Sequence, residues 1–254
     1  VTGRADSWLP LLPGPGPAPG EIRLWRCPVG PGDPAAERLA GVLTPAEREA
    51  AARFVFPEDA RRFTAGRACL RLALGNGLGV APGSLAFVQG PHGKPGLEPG
   101  SAPRLLHFNV SHAGSLAVIA VAADRPVGID VEWTGRDVRI GEIARRMFAP
   151  AETAAMDRLQ GPAAREAFFR IWTRKEAVVK ALGAGLTHPL DGFSVPLVPG
   201  GADGDPFPIQ LPDGSGLLVW DLDLGPDHAG ALAAPGPLPT LRRFAAEPLL
   251  DALG

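Results

Sequence analysis

Tyrosine is absent from the 254 residues, cysteine and methionine occur twice each, and neither sign of charge dominates. Each shortage excludes something. Cys27 and Cys69 form neither a CxxC pair nor a disulfide framework, which sets aside thiol–disulfide chemistry and a stapled extracellular fold. A net charge of −2 excludes the strongly basic surface that bulk nucleic-acid binding needs. The longest apolar run, LAVIAVAA at 116–123, is far shorter than the roughly 20 residues of a membrane span. No charged segment followed by an apolar run opens the sequence, so the expectation is a soluble, cytoplasmic protein with no membrane partner. The phosphate-cradling patterns GxxxxGK[ST] and GxGxxG after a strand are missing, and so is the GxSxG elbow of a serine hydrolase.

What is present is a hydrophobic content of 45%, enough to bury a core despite 33 glycines and 29 prolines. Residues 10–20, PLLPGPGPAPG, read as an extended surface lead-in. Thr44-Pro45-Ala46-Glu47 has the pattern of a capping box and predicts a short helix to about Phe54. A second helix is expected from about Glu58 to Leu74, stopped by Gly75-Asn76-Gly77, with a basic face built from Arg53, Arg61, Arg62, Arg67 and Arg71. Strands follow at Leu105–Val110, Leu116–Ala122 and Val127–Trp133, with a hairpin break at Ser111–Gly114. Helical patterning returns at Ile140–Met147, Pro150–Leu159 and Pro162–Leu182, and strands are expected at Phe193–Leu197, Leu217–Asp221 and Ala229–Ala233. Helices then strands, twice over, predict an α+β protein of two similar halves, 1–123 and 124–254, with the join near Asp124-Arg125-Pro126.

Asp130 and Glu132 stand two apart on a strand, so both carboxylates face one side while Ile129 and Val131 face the other, toward a core. Paired oxygen donors of this kind suit Mg²⁺, which takes one or two carboxylates and completes its shell with water and phosphate; two ordinary acids on a half-exposed strand fit as well. On the long helix Trp172, Glu176 and Lys180 recur at i, i+4 and i+8 on one face, either as a surface ion pair or, given apolar neighbours such as Phe168, Phe169 and Ile171, as a buried charged pair with a purpose. His112 ends a strand, where a side chain can face a cleft or serve structure, and Lys94 sits in a turn-rich loop, Gly93-Lys94-Pro95.

Four segments in order, Gly93-Lys94-Pro95, Phe108-Asn109-Val110-Ser111-His112, Val127-Gly128-Ile129-Asp130-Val131-Glu132 and Trp172-Thr173-Arg174-Lys175-Glu176-Ala177-Val178-Val179-Lys180, resemble the Sfp-type 4'-phosphopantetheinyl transferases. The likeness extends from Phe56-Pro57-Glu58-Asp59-Ala60-Arg61-Arg62 through Gly185-Leu186 to Phe193-Ser194-Val195, spanning about residues 44–198; Phe63 departs from it, standing where relatives often have a small polar residue. The resemblance implies a monomeric pseudo-dimer of two α+β halves with coenzyme A in the cleft between them. It implies transfer of the phosphopantetheine arm to a serine of an apo acyl, peptidyl or polyketide carrier protein, with release of 3',5'-adenosine bisphosphate, in polyketide, nonribosomal-peptide or fatty-acid synthesis. By the same resemblance Asp130, Glu132 and Glu176 bind Mg²⁺, Asp130, Glu176 and Lys180 are catalytic, and Arg53, Arg62, Lys94, Ser111, His112 and Lys175 contact coenzyme A. Glu176 has two candidate roles there, metal ligand and general base, and Lys180 acts on the leaving phosphate. The alternative is a catalytically inactive protein that binds coenzyme A or a carrier; a phosphohydrolase using the same metal site is a third reading.

With so little net charge, recognition of an acidic carrier helix has to be local. The segment before Met147 offers Arg139, Arg145 and Arg146, with Met147 and Phe148 as expected apolar anchors.

Overall fold

The computed structural model describes residues 8–10, 14–29, 35–90, 93–185, 189–198 and 205–246. In chain order the described elements are strands β1 (Leu9–Pro10) and β2 (Glu21–Pro28), helices α1 (Ala35–Val42), α2 (Pro45–Ala52) and α3 (Pro57–Leu78), strands β3 (Phe87–Gln89), β4 (Pro95–Leu97), β5 (His107–Ala113), β6 (Leu116–Ala122) and β7 (Gly128–Trp133), helices α4 (Ile140–Met147), α5 (Pro150–Met156) and α6 (Gly161–Leu182), and strands β8 (Phe207–Gln210), β9 (Gly216–Asp221), β10 (His228–Ala234) and β11 (Thr240–Ala245). The α+β class expected from the sequence holds.

Two compact units form. One takes the described residues of Val1–Gly90, Pro95–Asp124 and Pro239–Gly254; the other takes those of Pro91–Lys94 and Arg125–Leu238. The division is therefore not the simple cut into 1–123 and 124–254: β11 returns to the first unit, where it pairs in parallel with β2, and Lys94 belongs with the second. In the first unit a five-stranded sheet of order β1-β11-β2-β6-β5 carries α3 on one face. Trp25, Cys27, Ile119, Val121 and Phe108 from the strands meet Cys69, Leu70 and Leu74 from the helix in one apolar cluster. In the second unit the sheet is antiparallel, β7-β10-β9-β8, and α6 packs on it through Phe168, Ile171, Ala177, Val178 and Ala181. Each unit is thus a sheet under one 22-residue helix that ends at a glycine in the left-handed region, Gly79 or Gly183.

Several expectations change. The glycines of Gly75-Asn76-Gly77 do not stop α3; they are where other chain comes close. A Cβ at Gly75 would lie 2.9 Å from the Val80 carbonyl oxygen, and one at Gly77 would lie 3.2 Å from Gly16 Cα. That contact also moves Gly16 and Pro17 of the expected surface lead-in into buried positions, while residues 11–13 lie outside the described ones. Ser111 and His112 belong to β5 itself, the turn being Gly114–Ser115, with φ +56° at Gly114. Phe193–Leu197 is not a strand, and β2, β8 and β11 were not anticipated; β2 and β11 carry arginines, which blur the alternation a strand shows.

Arg67 and Arg71 do not lie on a solvated basic face. The Thr44 capping box forms as read, and its Glu47 carboxylate also accepts hydrogen bonds from Arg67 and, at 2.7 Å, from Arg71, whose guanidinium reaches the Pro82 and Leu85 carbonyls as well. Burial alone would raise the Glu47 pKa; the Arg71, Thr44 and Arg67 contacts override it and hold it at about 2. Because the folded value lies below the unfolded 4.5, this stabilisation of on the order of 3 kcal/mol is present above pH 4.5 and drains as pH falls toward 2. Glu47→Gln is therefore expected to lower the melting temperature at pH 7 by several degrees, with the difference from wild type shrinking as melts are repeated from pH 4.5 down to 2.5.

Candidate active site

β7 and α6 build the site. Ladder register puts Gly128, Asp130 and Glu132 opposite Ala233, Ala231 and Ala229 of β10, so a row of small side chains lies beside the acids on the face that α6 covers. Gly128 is the point of closest approach: a Cβ there would lie 2.0 Å from the Ala177 carbonyl oxygen and 2.2 Å from the Ala181 nitrogen. The helix can lie this low only over a glycine, and its Trp172–Glu176–Lys180 face comes down onto the two strand acids. The expected alternation of side chains along β7 holds. Ile129 and Val131 are buried, but the α6 core lies on the acids' own side of the sheet, and Asp130 is only 4% exposed.

Lys180 Nζ donates to Asp130 Oδ1 at 2.6 Å, and Trp172 Nε1 donates to Glu132 Oε1 at 2.9 Å. Arg136, in the turn after β7, pairs with the same Glu132 oxygen at 3.2 Å. The Glu176 carboxyl, 9% exposed, is pushed above its ordinary pKa by burial first and then by the charge of Asp130, with Lys180 opposing. Glu132 is pushed up for the same two reasons against Arg136, Trp172 and Lys180. Three acids are thus crowded into a half-buried space with Lys180 as the cation at Asp130. The surface-pair reading of Glu176 and Lys180 does not hold: Lys180 reaches across to the strand.

The six residues expected at coenzyme A are placed variously. Arg62 of α3 pairs with Asp59 and donates to the Gly114 carbonyl, and one turn on, a Cβ at Gly66 would lie 3.9 Å from His112 Cδ2. Arg62 and an exposed His112 therefore share the corner where α3 crosses the end of β5. Arg53 is exposed at the end of α2. Ser111, adjacent on β5, is buried and lies on the opposite face of the strand from the exposed His112. Lys94 is half-buried and donates to two backbone carbonyls, Val127 at 2.9 Å and Lys180 at 2.6 Å; burial and then the charge of Lys180 pull its pKa down to about 8.

Lys175, expected at a phosphate, is engaged inside the fold. Its side chain is 0% exposed, and Nζ donates to the Leu190 and Phe193 carbonyls and pairs with Glu152 at 2.8 Å. Glu152 in turn accepts from the Ala149 and Val195 amides, so one buried ion pair joins α5, α6 and the 190–195 segment. The sequence carried a signal for this, Pro150 at the first helical position and Glu152 at the third, which marks a helix start with an inward-turned acid. Phe148 is likewise no surface anchor: it is 3% exposed and stacks on Phe168 at 5.4 Å. Arg139, Arg145 and Arg146 are exposed as expected. Cys27 and Cys69 are free and buried. Among the described residues no helix is long and apolar enough to cross a membrane.

A family model described as the 4'-phosphopantetheinyl transferase superfamily matches residues 126–204, and one described as 4'-phosphopantetheinyl transferase, N-terminal, matches residues 30–124. The chain is 39% identical over 193 residues to the 4'-phosphopantetheinyl transferase HetI of Nostoc sp., covering 76% of this chain and 81% of that one. It is 31% identical over 204 residues to the 4'-phosphopantetheinyl transferase Sfp of Bacillus subtilis, covering 79% and 86%, and 34% identical over 182 residues to another Bacillus subtilis 4'-phosphopantetheinyl transferase, covering 70% and 75%.

The raised carboxyls of the site make a stability prediction. An acid whose folded pKa exceeds its unfolded one is at no disadvantage below the unfolded value and destabilises the fold as pH rises through the raised folded value. Glu176→Gln removes that burden, so its melting temperature at pH 7 to 8 is expected to exceed wild type by a few degrees, with no gain at pH 4. Equal melts at both pH values would mean that the acids are not crowded.

Proposed function

The chain belongs to the 4'-phosphopantetheinyl transferase superfamily, and from that premise we propose that it moves the 4'-phosphopantetheine arm of coenzyme A onto a serine of an apo acyl, peptidyl or polyketide carrier protein and releases 3',5'-adenosine bisphosphate. The observation that carries this reading is the meeting of Asp130 and Glu132 on β7 with Glu176 and Lys180 on α6. In the reaction the serine oxygen forms a bond to the phosphorus of the phosphopantetheine arm, and the bond from that phosphorus to the bridging oxygen of the diphosphate breaks. The serine proton must leave and the departing phosphate gathers charge. Glu176 takes the proton, directly or through a water. Its raised pKa suits a base that has to hold a proton after transfer, since burial and the Asp130 charge both favour the protonated form. Lys180, one turn along the same face and paired with Asp130 at 2.6 Å, is the cation assigned to the charge that develops on the leaving phosphate.

Mg²⁺ is part of the proposal. Among the described residues no group of three or more His, Cys, Asp or Glu is arranged to hold a metal ion. Mg²⁺, however, takes one or two carboxylates and fills the rest of its shell with water and phosphate oxygens. The donor chemistry fits: the oxygens are hard, and Glu132 and Glu176 both bear the repulsion of Asp130, which a divalent cation would relieve. Asp130, Glu132 and Glu176 would hold it, one or two of them directly and the rest through water, and its charge would neutralise the diphosphate against the approaching serine. Glu176 does not serve at full strength as ligand and base together, because direct ligation favours its ionised form; a water relay reconciles the two roles.

For coenzyme A phosphates we assign His112 and Arg62, with exposed Arg53 nearby in sequence, and leave out Lys175 and the Ser111 side chain for the reasons of burial and direction above. For the carrier we assign the exposed Arg139, Arg145 and Arg146 of the α4 region, without Phe148. A cytoplasmic setting belongs to the same proposal.

Incubation with coenzyme A, Mg²⁺ and apo carriers of several types, read by the intact mass of the carrier, tests the function. Addition of one phosphopantetheine arm is expected; unmodified carriers throughout would overturn it, and cleavage of coenzyme A without transfer would point to a hydrolase. Asp130→Ala and Glu132→Ala are each expected to cut turnover by roughly 10²-fold or more. Lys180→Ala is expected to depress kcat far more than the affinity for coenzyme A, because a group acting on leaving-group charge is felt in the transition state.

A further inference from the structure

We propose that Lys94 is a positioning residue of the transfer site: its ammonium clamps the last turn of α6 to the start of β7 and so fixes where Lys180 meets Asp130. The proposal deepens the transfer reading and rests on it.

The last four carbonyls of a helix have no partner further along the helix. Lys180 supplies one of them, and it is taken up twice, weakly by the Gly183 amide at 3.3 Å and closely by Lys94 Nζ at 2.6 Å. A cation at a helix C-terminus is also favoured by the helix dipole. The second carbonyl on the same ammonium belongs to Val127, the residue just before β7. Two oxygens that would repel each other are thus held on one positive centre. The tied points are not arbitrary. One is the backbone of Lys180 itself, and the other lies three residues before Asp130 on the strand that carries both acids. The stem of Lys94 passes beside the helix end: a Cβ at Gly183, where φ is +68°, would lie 3.9 Å from Lys94 Cδ. The chain reaches this place through Gly93, with φ +80°, and Lys94 clusters with the second unit although it precedes Val127 by 33 residues.

A lysine presented to a phosphate would leave its donors to the ligand; here two of the three are spent on backbone. The two roles predict different kinetics. A lost phosphate contact raises the Michaelis constant for coenzyme A, whereas a lost clamp displaces Lys180 and Asp130 from each other and lowers kcat at nearly constant Michaelis constant. Displacements of about 1 Å near reacting groups cost up to roughly 10²-fold.

The test compares wild type, Lys94→Met and Lys94→Arg by steady-state transfer and by amide hydrogen exchange. For Lys94→Met we expect kcat lower by roughly 10- to 100-fold, a Michaelis constant for coenzyme A within about twofold, and exchange faster in peptides covering 177–183 and 127–130 while the first half of α6 stays protected. Lys94→Arg, which keeps the charge and the donors, is expected to stay near wild type in both. A raised Michaelis constant with kcat and exchange unchanged would overturn the proposal in favour of a phosphate contact. Unchanged exchange at the helix end, or an arginine variant as impaired as the methionine one, would also overturn it. If wild type fails to modify any carrier, the transfer reading falls, and the exchange measurement still decides whether Lys94 is the clamp.

Discussion

The crossing of α6 over β7 at Gly128 is the constraint on which the rest of the second unit depends. Helix backbone atoms stand 2.0 to 2.2 Å from where a Cβ would be, so any other residue at that position has to push the helix away. Everything chemical follows from the low crossing. Glu176 and Lys180 are one turn apart on the helix, Asp130 and Glu132 are two residues apart on the strand, and only a close approach lets short acid side chains meet long helix side chains at hydrogen-bond distance. The alanines of β10 extend the same logic along the sheet, and the Lys175–Glu152 pair holds a neighbouring side of α6 against α5.

The meeting is electrostatically unfavourable for Glu132 and Glu176, which sets them apart from a paired structural carboxylate. Glu47 supplies the contrast within the same chain. Its carboxylate is buried among two arginines and a backbone amide and held at about 2, as a group that exists to be ionised and paired. Glu132 is half-buried and Glu176 buried, and both are pushed upward, by burial first and then by the charge of Asp130. Groups shifted against their own ionisation are the ones that gain from a cation, a proton or a phosphorylated ligand with its counter-ion. The transferase family to which the chain belongs is consistent with that arrangement.

Much of this was legible in the sequence, and the gaps have physical causes. The period of two in Asp130 and Glu132 and the period of four in Trp172, Glu176 and Lys180 are local regularities, and both survived into the structure because secondary structure alone decides them. The Thr44 capping box and the α4 and α6 boundaries were local in the same sense. What a neighbouring residue type cannot announce is which face the other element will cover. Lys175 and Glu176 are adjacent in sequence and equally polar, yet one hundred degrees of helix rotation puts the first in the core and the second in the site. Phe148 and Ser111 were misplaced for the same reason. The glycines at 75 and 77 read as stops because only tertiary contact, with Val80 and Gly16, reveals that they are there for close approach. β11 was missed because its pairing partner, β2, lies more than two hundred residues earlier.

The claim that a single missing side chain brings the two halves of the chemistry together is tested most directly by Gly128→Ala, with Gly96→Ala, where nothing lies within 4 Å of the new Cβ, as the control. The account predicts that Gly128→Ala lowers kcat for carrier modification by roughly 10²-fold and melts several degrees below wild type, while Gly96→Ala stays close to wild type in transfer. A Gly128→Ala protein that modifies its carrier at the wild-type rate with an unchanged melting temperature would contradict it.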